Sequence, residues 1–171
     1  QRRGHRVIFY QAPMAAEEIR SRGFEVRCFG EKEYSPEEDL KNRQAHAMLS
    51  GYKALRHTRD SIIRAVGLLI RQVPAMLRDD RIELMLVDQV SMGGGTASEL
   101  AGLPFLSICN ALMVNRDELA PPFFTSWRYR ADWIGRLRNW AGYTFLESFS
   151  RPLLRTLNEL RREHGLAPFD R

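Results

Sequence analysis

The sequence predicts an α/β fold in which helices cover a parallel sheet. Two observations carry that prediction. Three segments share one order: a polar helix end, a glycine, then a short run of apolar and β-branched residues. A fourth apolar run, Leu84-Met85-Leu86-Val87, follows Asp79-Asp80 after a long stretch of helical period. Repeated helix-to-strand units with apolar strands are built as parallel sheets buried under their crossovers. The 171 residues are 44% apolar and 27% charged, so one domain with its own core is expected.

The elements follow in order. Gln1-Arg2-Arg3-Gly4 reads as a helix tail entering the strand Arg6-Val7-Ile8-Phe9-Tyr10. Ile19-Arg20-Ser21-Arg22-Gly23 leads into Phe24 to Phe29, and Ser98-Glu99-Leu100-Ala101-Gly102 leads into Pro104 to Ile108. Glycine takes the left-handed conformation that ends a helix without steric cost. Ser35-Pro36-Glu37-Glu38 is a helix start, with Ser as N-cap, Pro in the first turn and acids at the positive end. A second helix is predicted over 51–78, with Ile62, Val66, Leu69, Ile70, Val73 and Leu77 on one face and Pro74 as a kink or break. Residues 110–132 form a long loop with Pro121-Pro122, and loops of that length are commonly functional. The last helix is predicted over 133–164, broken at Pro152 and buried along Ile134, Leu137, Ala141, Phe145 and Phe149. His164-Gly165-Leu166-Ala167-Pro168 then stops the helix and opens a linker.

Charge narrows the partners. The net charge is 26 − 21 = +5. From Arg128 to Arg171 there are nine Arg against five acids, 9 − 5 = +4, and Trp127, Trp133 and Trp140 lie in or beside this stretch. No nucleic-acid-binding motif accompanies it, so no nucleic-acid partner is expected. A basic aromatic helix over 133–143 fits either peripheral contact with a membrane surface or a solvated face over an aromatic core. No apolar run is long enough to span a membrane, and a cytoplasmic location is expected. Cys28 and Cys109 are too few for a disulfide framework, and Cys109 is expected to be a buried small apolar residue. None of the four His has a second metal ligand at a useful spacing, so no metal site is expected.

In open parallel sheets ligands bind beyond the carboxyl ends of the strands. The loop after the third strand reads Asp88-Gln89-Val90-Ser91-Met92-Gly93-Gly94-Gly95-Thr96. Asp88 can orient a partner His and balance its charge, or it can cap the turn that follows. The glycines let the backbone approach a ligand and place N–H groups where an anion binds. The loop is no P-loop, no dinucleotide fingerprint and no nucleophile elbow. At the next strand end, Asn110 of Cys109-Asn110-Ala111-Leu112 either contacts a ligand or closes a turn. Phe123, Phe124 and Trp127 either wall a pocket for a hydrophobic ligand or cover the sheet edge.

Taken together, these strings resemble family-one glycosyltransferases. The resemblance lies in Gln1-Arg2-Arg3-Gly4-His5-Arg6-Val7, Leu86-Val87-Asp88-Gln89, Gly94-Gly95-Thr96-Ala97 and Gly102-Leu103-Pro104-Phe105. It continues through Asn110-Ala111-Leu112, Asn115-Arg116, Pro121-Pro122-Phe123-Phe124-Thr125 and Leu137-Arg138-Asn139-Trp140-Ala141-Gly142-Tyr143. The set is most similar to the bacterial carotenoid- and macrolide-type branch. The resemblance implies the GT-B architecture, two Rossmann-like doubly wound domains with a cleft between them. Residues 1–171 would be the N-terminal acceptor-binding domain, lacking its first strand and catalytic-His loop, and the C-terminal donor-binding domain would be absent. The implied reaction is inverting transfer of a sugar from a UDP-sugar to a hydroxyl of an apolar acceptor. UDP-sugar is a co-substrate in that reaction, and no cofactor is implied. Asp88 would orient the base, a His of a Gly-His-x-Asn-Pro loop; Gly4-His5 is followed by Arg6-Val7 and does not match that loop. Gln89, Ser91, Met92, Asn110, Ala111, Phe123, Phe124 and Trp127 would line the acceptor site. The chain by itself is then expected to be inactive. The alternative from the residues alone is a Rossmann- or flavodoxin-like module that binds a nucleotide or flavin.

Overall fold

The computed structural model describes residues 4–110 and 115–170, apart from six side chains between residues 36 and 46. The elements run β1 (Ile8–Gln11), a short 3-10 turn, α1 (Ala16–Ser21), β2 (Glu25–Cys28), α2 (Pro36–Ala47) and α3 (Gly51–Asp79). They continue with β3 (Met85–Asp88), α4 (Gly94–Ala101), β4 (Phe105–Ile108) and α5 (Trp133–Glu163). The predicted helix tail at Gln1 to Arg3 lies outside the described residues.

The helix signals behave as their chemistry requires. Ser35 Oγ accepts from the Glu38 N–H at 3.3 Å, the N-cap bond expected of Ser before Pro. Gly102 ends α4 at φ 72°, and its N–H bonds back to the Glu99 carbonyl at 3.0 Å. Two breaks do not occur. Pro74 lies inside an uninterrupted α3 and is itself buried, and Pro152 lies inside an uninterrupted α5. Each proline removes one ladder bond, but tertiary packing holds the helix across it.

All strand pairs are parallel, as the helix-to-strand order requires. Ile8 pairs with Glu25 through Gln11 with Cys28, and Met85 pairs with Phe105 through Asp88 with Ile108. The single doubly wound sheet is not formed among the described residues. Instead there are two separate two-stranded sheets, β1-β2 and β3-β4. The sequence could not reveal this, because strand patterning reports a buried face and not which edges meet. β4 is exposed along its whole length, Phe105, Leu106 and Ile108 included.

The core is built on α3. Val66, Leu68, Leu69, Ile70, Val73 and Leu77 pack with Phe29, Ala97, Leu153, Leu157 and Leu160. Tyr10 of β1 and Met85 of β3 lean on the same cluster. A polar clamp fastens β1 and β2 to the end of α3: the Tyr10 hydroxyl donates to Asp80 Oδ2 at 2.8 Å, and Arg27 pairs with the same oxygen at 3.1 Å.

Burial, and then the bond to Asp80, push the Tyr10 phenol well above its ordinary range. A raised folded value means its contribution to stability is fully present below about pH 10 and is lost as pH rises through the folded value. In an alkaline titration followed by tyrosinate absorbance, Tyr10 is expected to ionise after the ordinary tyrosines. Tyr10→Phe should delete that late step and leave the earlier ones; an unchanged curve would disprove the clamp.

Two packing expectations are overturned. Cys109 is exposed, because it follows the exposed edge strand β4. On α5 the predicted stripe is not the buried one: Ile134, Leu137 and Phe145 are exposed, and so is Ala141. The buried residues of the first half are Gly135, Asn139, Gly142 and Tyr143. The loop preceding α5 approaches the helix closely at its two glycines. A Cβ on Gly142 would stand 2.9 Å from Pro122 Cγ and 3.0 Å from the Trp127 ring. Beyond α5 the predicted linker folds back: Phe169 N–H donates to Asn158 Oδ1 at 2.8 Å, and Asn158 Nδ2 donates to the Phe169 carbonyl at 2.9 Å.

Candidate functional site

The parallel ladder brings the carboxyl ends of β3 and β4 side by side, so Asp88 and Asn110 meet. Asn110 Nδ2 donates to Asp88 Oδ2 at 2.8 Å. Val90 N–H donates to Asp88 Oδ1 at 3.0 Å, and Ser91 N–H donates to the Asp88 carbonyl at 2.8 Å. The turn-capping reading of Asp88 therefore applies. One carboxylate oxygen closes the turn, and the other is aimed by a side chain from the neighbouring strand. Neither donor carries a charge, and each carboxylate oxygen has two lone pairs. Asp88 is half-buried, and its carboxylate oxygens keep lone pairs for a further donor.

The neighbours fall around it as follows. Gln89 continues the ladder, its N–H donating to the Ile108 carbonyl at 2.9 Å. Ser91 is half-buried and Met92 exposed on the same turn. Ala111 lies outside the described residues.

The glycine run has a different purpose from the one its composition suggests. A Cβ on Gly94 would strike Val87 Cγ1, and one on Gly95 would stand 2.9 Å from the Phe105 ring. Gly93 faces Val66, Leu69 and Ile70 at 3.4 Å, and the Gly94 N–H already donates to the Ser91 carbonyl at 2.9 Å. These glycines let α4 seat against β3, β4 and α3. The Gly94 N–H is thereby taken from any anion by the Ser91 carbonyl.

The loop aromatics form a second group. Phe123 and Phe124 meet edge to face with centroids 5.7 Å apart, and both are exposed. Trp127 lies under the Arg138 guanidinium, 4.9 Å from the ring centroid. The loop is pinned to α5 by fully buried Asn139, whose Nδ2 donates to the Glu118 carbonyl at 3.0 Å. Arg116 adds a two-sided tie, reaching Glu147 at 2.7 Å and Glu118 at 2.9 Å. Asp132 caps α5 by accepting from Gly135 N–H at 2.8 Å. Its ion pair with Arg130, and then that backbone bond, hold its carboxyl below the usual range.

One feature escaped the sequence reading. A cleft of about 190 Å³ is lined by Tyr52, Arg59, Phe145, Ser148 and Phe149, and it contains none of the predicted site residues. Phe145 stacks near Phe149 at 6.1 Å, Tyr52 meets Phe149 at 6.0 Å, and Arg59 lies 5.0 Å from the Phe149 ring centroid. The available signal was helical spacing: Tyr52 and Arg59 are seven apart, Phe145 and Phe149 four apart.

Comparison with known proteins supplies the remaining facts. The chain is 27% identical over 166 residues to a zeaxanthin glucosyltransferase of Pantoea ananas. That alignment covers 97% of this chain and 38% of the relative. Over 64 residues it is 36% identical to a zeaxanthin glucosyltransferase of Pseudescherichia vulneris, covering 37% of this chain and 16% of that protein. The chain thus spans about two fifths of the length of the first relative. No family model matches it. Among the described residues, no helix is long and apolar enough to cross a membrane, and no group of three or more His, Cys, Asp or Glu could hold a metal ion.

Proposed function

We propose that this chain is the greater part of the acceptor-binding domain of a GT-B glycosyltransferase, which transfers a sugar from a UDP-sugar to a hydroxyl of an apolar, carotenoid-like acceptor. The observation that carries the reading is the aimed carboxylate of Asp88 at a strand end. It sits within a 166-residue alignment to a glucosyltransferase. The catalytic His and the donor-binding domain are assigned to polypeptide outside these 171 residues. The protein acts in the cytoplasm.

The separated sheets fit this assignment. β1 and β3 belong to different parallel pairs, yet both lean on α3. A further parallel strand between them would join the pairs into one Rossmann-like sheet. The loop leaving its carboxyl end would then emerge beside Asp88, where a base is needed. In the reaction the imidazole takes the acceptor hydroxyl proton as the oxygen attacks the anomeric carbon. The bond from that carbon to the UDP oxygen breaks, UDP leaves, and the configuration inverts. Asp88 keeps the imidazole in one tautomer and balances its positive charge. Gln89, Ser91, Met92, Asn110, Ala111, Phe123, Phe124 and Trp127 contact the acceptor.

The test is a transfer assay with UDP-glucose and zeaxanthin. The full-length protein is expected to form a glucoside, and the 171-residue chain alone none. Transfer by the chain alone would overturn the assignment of the base and donor site. Tight binding of FMN or NAD to the chain would favour a nucleotide- or flavin-binding module instead.

A further inference from the structure

The first three turns of α5 turn a wide apolar sector to solvent. Trp133 is 72% exposed and Leu137 56%, and Trp140, Ile134 and Phe145 are exposed with them. At about 100° per residue, Trp140, Trp133, Leu137, Ala141, Ile134 and Phe145 share a sector about 140° wide. The opposite face, Gly135, Asn139 and Gly142, is spent on the preceding loop. The sector therefore cannot turn inward without displacing that loop.

Charge frames the sector. Exposed Arg136 borders one side, and exposed Arg128 and 68%-exposed Tyr129 shortly precede the helix, while Arg138 on the other border stays over Trp127 and Arg130 pairs with Asp132. Between Trp127 and Trp140 the only acid is Asp132, so the local formal charge is 4 − 1 = +3. An exposed helix with tryptophans in its apolar sector and arginines at its borders matches an interface of hydrocarbon beneath anionic headgroups. A bilayer that repels neither the rings nor the guanidinium groups is an anionic one.

We propose that the start of α5 docks this protein peripherally on an anionic phospholipid surface, with Trp133, Leu137 and Trp140 in the acyl boundary and Arg128 and Arg136 at the phosphates. The docking stands on the surface itself and not on the catalytic reading. Where both hold, the protein meets an apolar acceptor in the phase that dissolves it.

The test is co-sedimentation of the full-length protein with phosphatidylcholine vesicles, with and without phosphatidylglycerol. Binding is expected only to the anionic vesicles, falling steeply as salt is raised. Trp133→Ser with Trp140→Ser should weaken binding at least about tenfold, with the melting temperature retained because both rings are exposed. Arg128→Glu with Arg136→Glu provides a second variant pair that leaves the apolar packing intact, and it too should lose binding. The wild-type tryptophan emission should shift to the blue on binding. No association with anionic vesicles at low salt would overturn the proposal, as it would if the sector were covered by the protein's own further polypeptide. Equal binding by wild type and both variant pairs would overturn it as well. Loss of sugar transfer with vesicle binding intact would instead count against the catalytic reading.

Discussion

Asp88→Asn in the full-length protein is expected to lower kcat by about a thousandfold while the domain stays folded. The geometry explains why the two effects separate. The amide oxygen of Asn still accepts from the Val90 N–H, now made by Asp88 Oδ1 at 3.0 Å. Its NH₂ group would oppose the Asn110 NH₂, which now lies 2.8 Å from Asp88 Oδ2, and a flip of the Asn110 amide restores a bond. The stability cost is then about 1 kcal/mol or less. The negative charge that would balance an imidazolium is lost, and the amide can hold the imidazole in the wrong tautomer. Asn110→Ala should act in the same direction more weakly, because Asp88 keeps its charge but loses its aim. Turnover by Asp88→Asn within a factor of a few of wild type, at an unchanged melting temperature, would remove Asp88 from the mechanism. A matched fall in melting temperature and activity would assign it a structural role instead.

Arg161→Met should strongly destabilise this domain. Arg161 is 5% exposed and connects three parts of the chain. Nη1 donates to Thr96 Oγ1 at 3.0 Å, Nε donates to the Ala167 carbonyl at 2.6 Å, and Nη2 pairs with Glu99 at 2.9 Å. The guanidinium also lies 4.0 Å from the Phe169 ring centroid. Met restores much of the volume but none of the donors, so the buried Thr96 hydroxyl and the Ala167 carbonyl lose a partner. Breaking such a buried arrangement costs about 3 kcal/mol, held to that figure because Glu99 is partly solvated. For a domain of this size that lowers the melting temperature by about 6–12 °C. Thermal unfolding followed by circular dichroism measures it, and a shift under about 2 °C would show that Arg161 is not the clamp. Released from Arg161, the segment after α5 should also become more open to proteolysis.

Two features illustrate the reach and the failure of local signals. Asp88 was legible because a strand end is marked by where an apolar run stops, and residues there face the ligand side in any parallel sheet. Its partner Asn110 was legible for the same reason; only the pairing of β3 with β4 showed that the two meet. The glycine run was legible as a place where backbone comes close to something. Which something was not, since a ligand and a neighbouring strand demand the same absent Cβ. Phe145 and Phe149 have core spacing, but their rings line a surface cleft with Tyr52 and Arg59.

The sequence by itself determined the element order, the parallel sense of the strands, the helix caps and the position of Asp88. Those depend on residues near one another in the chain: a period, a capping hydroxyl, a glycine at φ > 0. Tertiary structure alone decided that the strands form two pairs, that Pro74 and Pro152 lie within continuous helices, and which side of α5 faces outward. The last case gives the physical reason. In the first turns of α5 the loop approaches closely over Gly135, Asn139 and Gly142, so the face richest in apolar residues there is the one left open, whereas Leu153, Leu157 and Leu160 bury the second half.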